Sequence, residues 1–151
     1  YVVYRAIGGK WQRVGVVKTN SFYEGKLASG TNYRYAVRAY KTFNGKNYYS
    51  AKYPTLWTST KPATVSFKVT AGTKKATVSW SKVTGATGYK VYYKTSAQGS
   101  WKGLKTTTGT SFTKTGLTSG KTYYFKIRTY IKTDSGYVYS ACSAVKSVKV
   151  K

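Results

Sequence analysis

The sequence predicts an all-β protein of two tandem antiparallel β-sandwiches, the first lacking its two opening strands. Three observations predict it: apolar side chains recur with a period of two, one residue pattern is written twice along the chain, and the composition suits half-buried strands. The 151 residues include 17 Tyr, four Trp and no Met, with abundant Thr, Val and Ser, and almost never run apolar for more than a few residues. Aromatic and β-branched side chains of this kind fit a pleated surface with one wet face.

The period of two is clearest in Tyr123–Thr129. Tyr123, Phe125, Ile127 and Thr129 fall on one side, and Tyr124, Lys126, Arg128 and Tyr130 on the other. Ala76-Val78-Trp80 and Tyr89-Val91-Tyr93 alternate in the same way. Turn signals separate these runs at Ala71-Gly72-Thr73, Thr84-Gly85-Ala86, Gln98-Gly99-Ser100, Ser119-Gly120 and Asp134-Ser135-Gly136. They divide residues 63–150 into seven strands with no helix.

The repeat is explicit. Leu27-x-x-Gly30-x-x-Tyr33-x-Tyr35-x-Val37-x-Ala39-Tyr40 returns 90 residues later as Leu117-x-x-Gly120-x-x-Tyr123-x-Phe125-x-Ile127-x-Thr129-Tyr130. Trp11, Ser21-Phe22 and Tyr49-Ser50-Ala51 return at the same offset as Trp101, Ser111-Phe112 and Tyr139-Ser140-Ala141. Tyr1-x-Val3-Tyr4 matches Tyr89-x-Val91-Tyr92 with a small length change in the next turn. The boundaries follow as 1–60 for a partial repeat and 61–151 for a complete one.

These marks resemble the fibronectin type III family of immunoglobulin-like sandwiches. Trp80 matches its strand-B tryptophan, Tyr89-x-Val91-x-Tyr93 its strand C, and Leu27, Gly30, Tyr33 and Leu117, Gly120, Tyr123 its Leu-x-x-Gly-x-x-Tyr segment. The resemblance implies that Tyr33 and Tyr123 are tyrosine corners, whose hydroxyls bond nearby backbone. It also implies that Trp80, Tyr89, Val91, Leu117, Tyr123, Phe125 and Ile127, with Leu27 and Tyr33 in the first copy, mark the core. Residues 82–89, Lys-Val-Thr-Gly-Ala-Thr-Gly-Tyr, are similar to repeats of large Gram-positive (Firmicutes-type) surface and secreted proteins.

The first copy departs from the family. It begins at strand C, without strands A and B, and Arg5 stands where the second copy has Tyr93. Val3, Tyr33, Tyr35 and Val37 are therefore expected to be poorly covered, and about 60 residues of half-sandwich bury little surface. Two accounts compete: the piece is cut from a longer array, as Tyr1 in place of Met suggests, or a partner chain donates the missing strands. The chain ends at Lys151 directly after its last strand and offers no spare hairpin of its own. The join from Trp57 to Pro62 is short and is expected to act as a stiff spacer.

Charge is the most unusual global feature. The chain has 27 Lys and Arg against only Glu24 and Asp134, a formal +25 that attracts polyanions. Only five of the bases are Arg, so the field is mainly that of hydrated lysine point charges scattered along the chain. Such charge gives nucleic acid only salt-sensitive, non-specific attraction. The outward side of the second copy carries Lys90, Tyr92, Lys94, Tyr124, Lys126, Arg128 and Tyr130, with a thinner version at Tyr4, Arg34, Arg38 and Tyr40. Aromatics among cations suit stacking on rings while the cations meet anionic groups. The competing structural reading is that such alternation stabilises a sheet and blunts its edges.

Catalysis finds no support. The chain has no His, one Cys and two carboxylates about 110 residues apart, so neither a general base, a metal cluster nor a glycosidase pair is assembled. Asp134 suits the Asp-Ser-Gly turn it opens, and Cys142, with no base to activate it, reads as a small strand residue. No cofactor motif, apolar membrane span or signal peptide is present in this segment. The expectation is a non-catalytic extracellular spacer or adhesive module of a larger bacterial surface or secreted protein, whose partners are its neighbouring domains. One alternative is an accessory module gripping anionic polysaccharide or cell-wall polymer, and another is a subunit completed by donated strands.

Overall fold

A computed structural model describes residues 1–151 as strands and loops without a helix. Two compact units divide the chain, Tyr1–Thr60 and Lys61–Lys151.

The first unit holds β1 (Val2–Ile7), β2 (Lys10–Val16), β3 (Asn32–Arg38), β4 (Tyr40–Phe43), β5 (Lys46–Tyr49) and β6 (Thr55–Ser59). Its main sheet runs β2-β1-β3-β6, all antiparallel, and β4-β5 forms a separate hairpin. The Asn44-Gly45 turn joins that hairpin with both residues at positive φ, 48° and 73°.

The second unit holds β7 (Phe67–Gly72), β8 (Lys75–Trp80), β9 (Gly88–Lys94), β10 (Lys102–Thr107), β11 (Ser111–Thr115), β12 (Thr122–Thr133), β13 (Gly136–Tyr139) and β14 (Lys146–Lys149). One sheet runs β11-β8-β7, and the other runs β10-β9-β12-β13 with β14 also on β12. Eight strands stand where seven were expected, because the Asp134-Ser135-Gly136 turn lets the end of β12 pair with β13 before β14 begins.

The core lies between these two sheets. Along β12 the inward residues Tyr123, Phe125, Ile127 and Thr129 are buried while Tyr124, Lys126 and Arg128 between them are half-buried. Register sets Ile127 opposite Val91 and Phe125 opposite Tyr93, and the other sheet supplies Ala76, Val78 and Trp80. Trp80 meets Tyr89 edge-on at 5.2 Å, a favoured aromatic geometry. The Tyr123 hydroxyl accepts from the Thr118 N–H at 3.0 Å, and Tyr33 accepts from Ala28 N–H at 2.8 Å. Both corners thus hold the loop entering their strand. Leu117 and Tyr123 are buried, whereas Leu27 and Tyr33 in the first unit are only half-buried.

The first unit has no counterpart of β7 and β8, and the loss propagates locally. Residues 111–115 form β11 by pairing with β8, but residues 21–25 have nothing to pair with and form no strand. Those residues fold across the sheet, which corrects one expectation: Val3 is 3% exposed, not uncovered. Phe22 approaches so closely that a Cβ on Gly15 would lie 2.3 Å from its ring, so glycine at that position permits the contact. Tyr33, Tyr35 and Val37 remain half-buried, as expected of a sheet without its facing layer.

Two smaller expectations are corrected. Cys142 lies exposed in the loop between β13 and β14 and fills no strand. The join is shorter than Trp57–Pro62, because Trp57, Thr58 and Ser59 belong to β6 through pairing with β3.

Candidate functional site

The outward side of β9 and β12 gathers most of the residues singled out in the sequence. Antiparallel register sets Tyr92 opposite Lys126, Lys90 opposite Arg128 and Lys94 opposite Tyr124, so each aromatic faces a cation across the ladder. Trp101, just before β10, completes the layer. Lys126 Nζ lies 4.4 Å from the Trp101 ring centre and Lys94 Nζ 5.0 Å from it. Lys94 also lies 5.5 Å from Tyr124, while Lys90 and Lys126 lie 5.6 and 5.7 Å from Tyr92. Three lysines thus alternate with three rings. Each such contact contributes about 0.5–1 kcal/mol where exposed and more when desolvated.

Arg128 plays a different part. Its Nε donates to Ser140 O at 2.9 Å and its guanidinium lies 4.9 Å over Tyr139, tying β12 to the start of the loop before β14. Arg38 repeats this in the first unit: Nε and Nη2 donate to Ser50 O at 3.1 and 2.8 Å, and Tyr49 lies 5.2 Å beneath it. The same clamp at equivalent positions reads as structural.

Tyr130 is corrected. It is 7% exposed, covered within an aromatic cluster with Tyr137 and Tyr139 at 5.3 and 5.8 Å, and its ring is therefore not open on the face as expected. The alternation of burial breaks at Thr129, Tyr130 and Ile131, all buried, because the tyrosines of β13 cover Tyr130 where β12 pairs with that strand. Gly88 makes room for Tyr130, since a Cβ there would lie 2.6 Å from its hydroxyl. Trp101 and Tyr139 were recognised in the sequence only as repeat marks. Their places on the face depend on the loop before β10 and on the β12–β13 hairpin, and alternation along one strand carries no information about either.

The first unit centres its layer on arginine. Arg34 lies between Trp11 and Trp57, at 5.5 and 5.6 Å, and Arg38 between Tyr49 and Tyr53, at 5.2 and 5.6 Å. Tyr4 lines a small cavity with Trp11, Ala36, Arg38 and Tyr53, whereas Tyr40 packs on Tyr49 in the β4–β5 hairpin. Neither carboxylate joins these layers. Glu24 accepts from Arg5 Nη1 and, at 2.6 Å, from the Tyr35 hydroxyl, and Asp134 lies in the turn before β13.

Residues 60–142, more than half of the chain, match the fibronectin type III domain. The chain belongs to the fibronectin type III family. A two-domain fibronectin type III segment of chicken tenascin is similar over 99% of this chain and 83% of its own, at 22% identity and a TM-score of 0.62. The sixth fibronectin type III domain of human fibronectin type III domain containing protein 3 aligns with 62% of this chain and 89% of its own, at 21% identity and a TM-score of 0.51. The chicken interferon gamma receptor alpha chain aligns with 99% of this chain and 84% of its own, at 13% identity and a TM-score of 0.51. At these identities the likeness is one of fold, and it covers a tandem arrangement. No curated protein matches the chain. Fibronectin type III domains are in general non-catalytic and extracellular, serving as structural or adhesive modules. No helix here is long and apolar enough to cross a membrane, and no group of three or more His, Cys, Asp or Glu converges as metal ligands.

Proposed function

We propose that the chain is a non-catalytic spacer and adhesive module of a larger bacterial surface or secreted protein, and that it grips anionic cell-wall or glycan polymer through its aromatic and basic sheet face. The observation that carries this reading is the interleaving of Lys90, Lys94 and Lys126 with Tyr92, Tyr124 and Trp101 on one face without a carboxylate among them. The ammonium groups lie beside the rings, and the half-buried rings between them offer apolar surface to a sugar. A phosphate or carboxylate repeat along a polymer would meet successive ammonium groups. Nucleic acid would be held only by salt-sensitive attraction.

The test is a titration with teichoic acid and with acidic glycans at low and near-physiological salt. Binding that survives added salt and falls at least tenfold in Tyr92→Ala/Trp101→Ala supports the platform. Binding that vanishes with salt whatever the aromatic substitutions reduces the face to sheet stabilisation and general charge.

A further inference from the structure

Three of the five arginines donate to oxygens of the protein: Arg5 to Glu24, Arg38 to Ser50 and Arg128 to Ser140. Arg34 is held differently. It is exposed on β3 with its guanidinium 5.5 Å from the Trp11 ring centre and 5.6 Å from that of Trp57, and no protein oxygen receives its N–H groups. The rings place the fork and leave its donors free. Register accounts for the arrangement: Trp57 on β6 pairs with Arg34, and Trp11 on β2 pairs with Ala6, whose small side chain lets the indole reach across β1. Trp11 and Trp57 stay open, at 36% and 62% exposed.

This row faces away from the core, in a complete sandwich as in the first unit. Its counterparts Tyr124 and Trp101 lie outward in the second unit, where the facing sheet packs instead on Phe125 and Ile127. That unit closes the row with Tyr124 opposite Ser147, so the strand pattern does not need an arginine between two indoles. No carboxylate neutralises the site. Glu24 is taken by Arg5 and Tyr35, Asp134 belongs to the second unit, and exposed Arg13 adds charge two residues from Trp11 on the same side of β2. We propose that Trp11, Arg34 and Trp57 bind a carboxylated sugar, with its carboxylate paired bidentately to Arg34 and sugar faces lying on the flanking indoles. The site does not depend on the lysine face of the second unit binding anything. A polymer charged at every repeat meets successive lysines there, whereas a single planar fork between rings matches one planar carboxylate carried by a ring.

The probe is a tetrasaccharide of alternating glucuronate and N-acetylglucosamine, titrated into the full 151-residue chain at near-physiological salt and followed by the indole N–H signals of the four tryptophans. Trp11 and Trp57 should shift while buried Trp80 does not. Affinity should fall at least tenfold when the carboxyls are reduced to alcohols, and at least fivefold in Arg34→Lys, which keeps the charge and loses the fork. Trp57→Ala, at an exposed position, should weaken binding as much, whereas Tyr92→Ala/Trp101→Ala should bind within twofold of the unaltered chain and so separates this site from the lysine face. Unmoved Trp11 and Trp57 signals overturn the proposal, as does equal binding of the reduced sugar or by Arg34→Lys. Shifts confined to Trp101 also overturn it, whatever they show for the lysine face. A glycerol phosphate tetramer that binds as tightly through Trp11 and Trp57 overturns the choice of a carboxylate.

Discussion

The two units use one strand pattern with different completeness, and the comparison separates what a strand needs from what a core needs. In the second unit Phe125 lies under a facing sheet and is fully buried; in the first, Tyr35 at the same place is half-buried and hydrogen-bonds Glu24. The sheet β2-β1-β3-β6 forms in either case, because its ladder is internal. Residues 21–25 do not become a strand, because their ladder partner would lie in the missing sheet. Polar substitution follows the same logic. The second unit keeps Tyr93 and Lys114 where the first has Arg5 and Glu24, whose ion pair is 19% exposed on both side chains. Such a pair in partial contact with water contributes little net stability, and removing one partner leaves the other poorly solvated.

The largest expected contrast is in core truncation. Phe125→Ala should cost about 3–5 kcal/mol, the range for a buried aromatic, whereas Tyr35→Ala should cost less than half of that because its site opens to water. Urea unfolding followed separately at amides of each unit measures both, and equal losses would contradict the difference in covering.

A smaller effect should be shared. Arg38→Ala and Arg128→Ala each remove a charge-assisted bond to an equivalent serine carbonyl, at a cost of roughly 1 kcal/mol once partial exposure is discounted. Similar losses in the two units would show that the clamp belongs to the strand pattern, while a loss in one alone would tie it to the complete sandwich.

The smallest effect concerns two tyrosines that move apart at high pH. Burial, then the hydrogen bond and charge of Glu24, raises the Tyr35 pKa above the usual value near 10. Bonding from Thr118 lowers the Tyr123 pKa. Tyr35 thus contributes stability that is present below pH 10 and lost as pH rises through its folded value. Tyr123 contributes stability that is present above pH 10 and lost as pH falls through its folded value. NMR titration of ring carbons should find Tyr35 ionising after Tyr123, with the gap narrowed in Glu24→Gln; the reverse order would refute the assignment of Glu24 as a cause.

Most of the fold was legible because side-chain alternation and the repeated Leu-x-x-Gly-x-x-Tyr segment are local signals. The candidate face was legible in part. Tyr92, Lys126, Lys90, Lys94 and Tyr124 follow from parity along β9 and β12, but Trp101 reaches the face from outside β10, and Tyr130, on that side over Gly88, is covered by Tyr137 and Tyr139. Parity assigns a side of the ladder to each strand residue, so it says nothing of a loop residue such as Trp101 or of which side chains later pack over Tyr130.

The sequence by itself determined the all-β class, the two copies, the missing opening strands and the excess of lysine. These depend on periodicity and composition, which need no coordinates. Only the tertiary structure decided that residues 21–25 fold over Val3 without forming a strand, that Arg38 and Arg128 hold serine carbonyls, and that Lys126 sits above Trp101. Each depends on which segments meet across long loops, and that is set by packing between sheets.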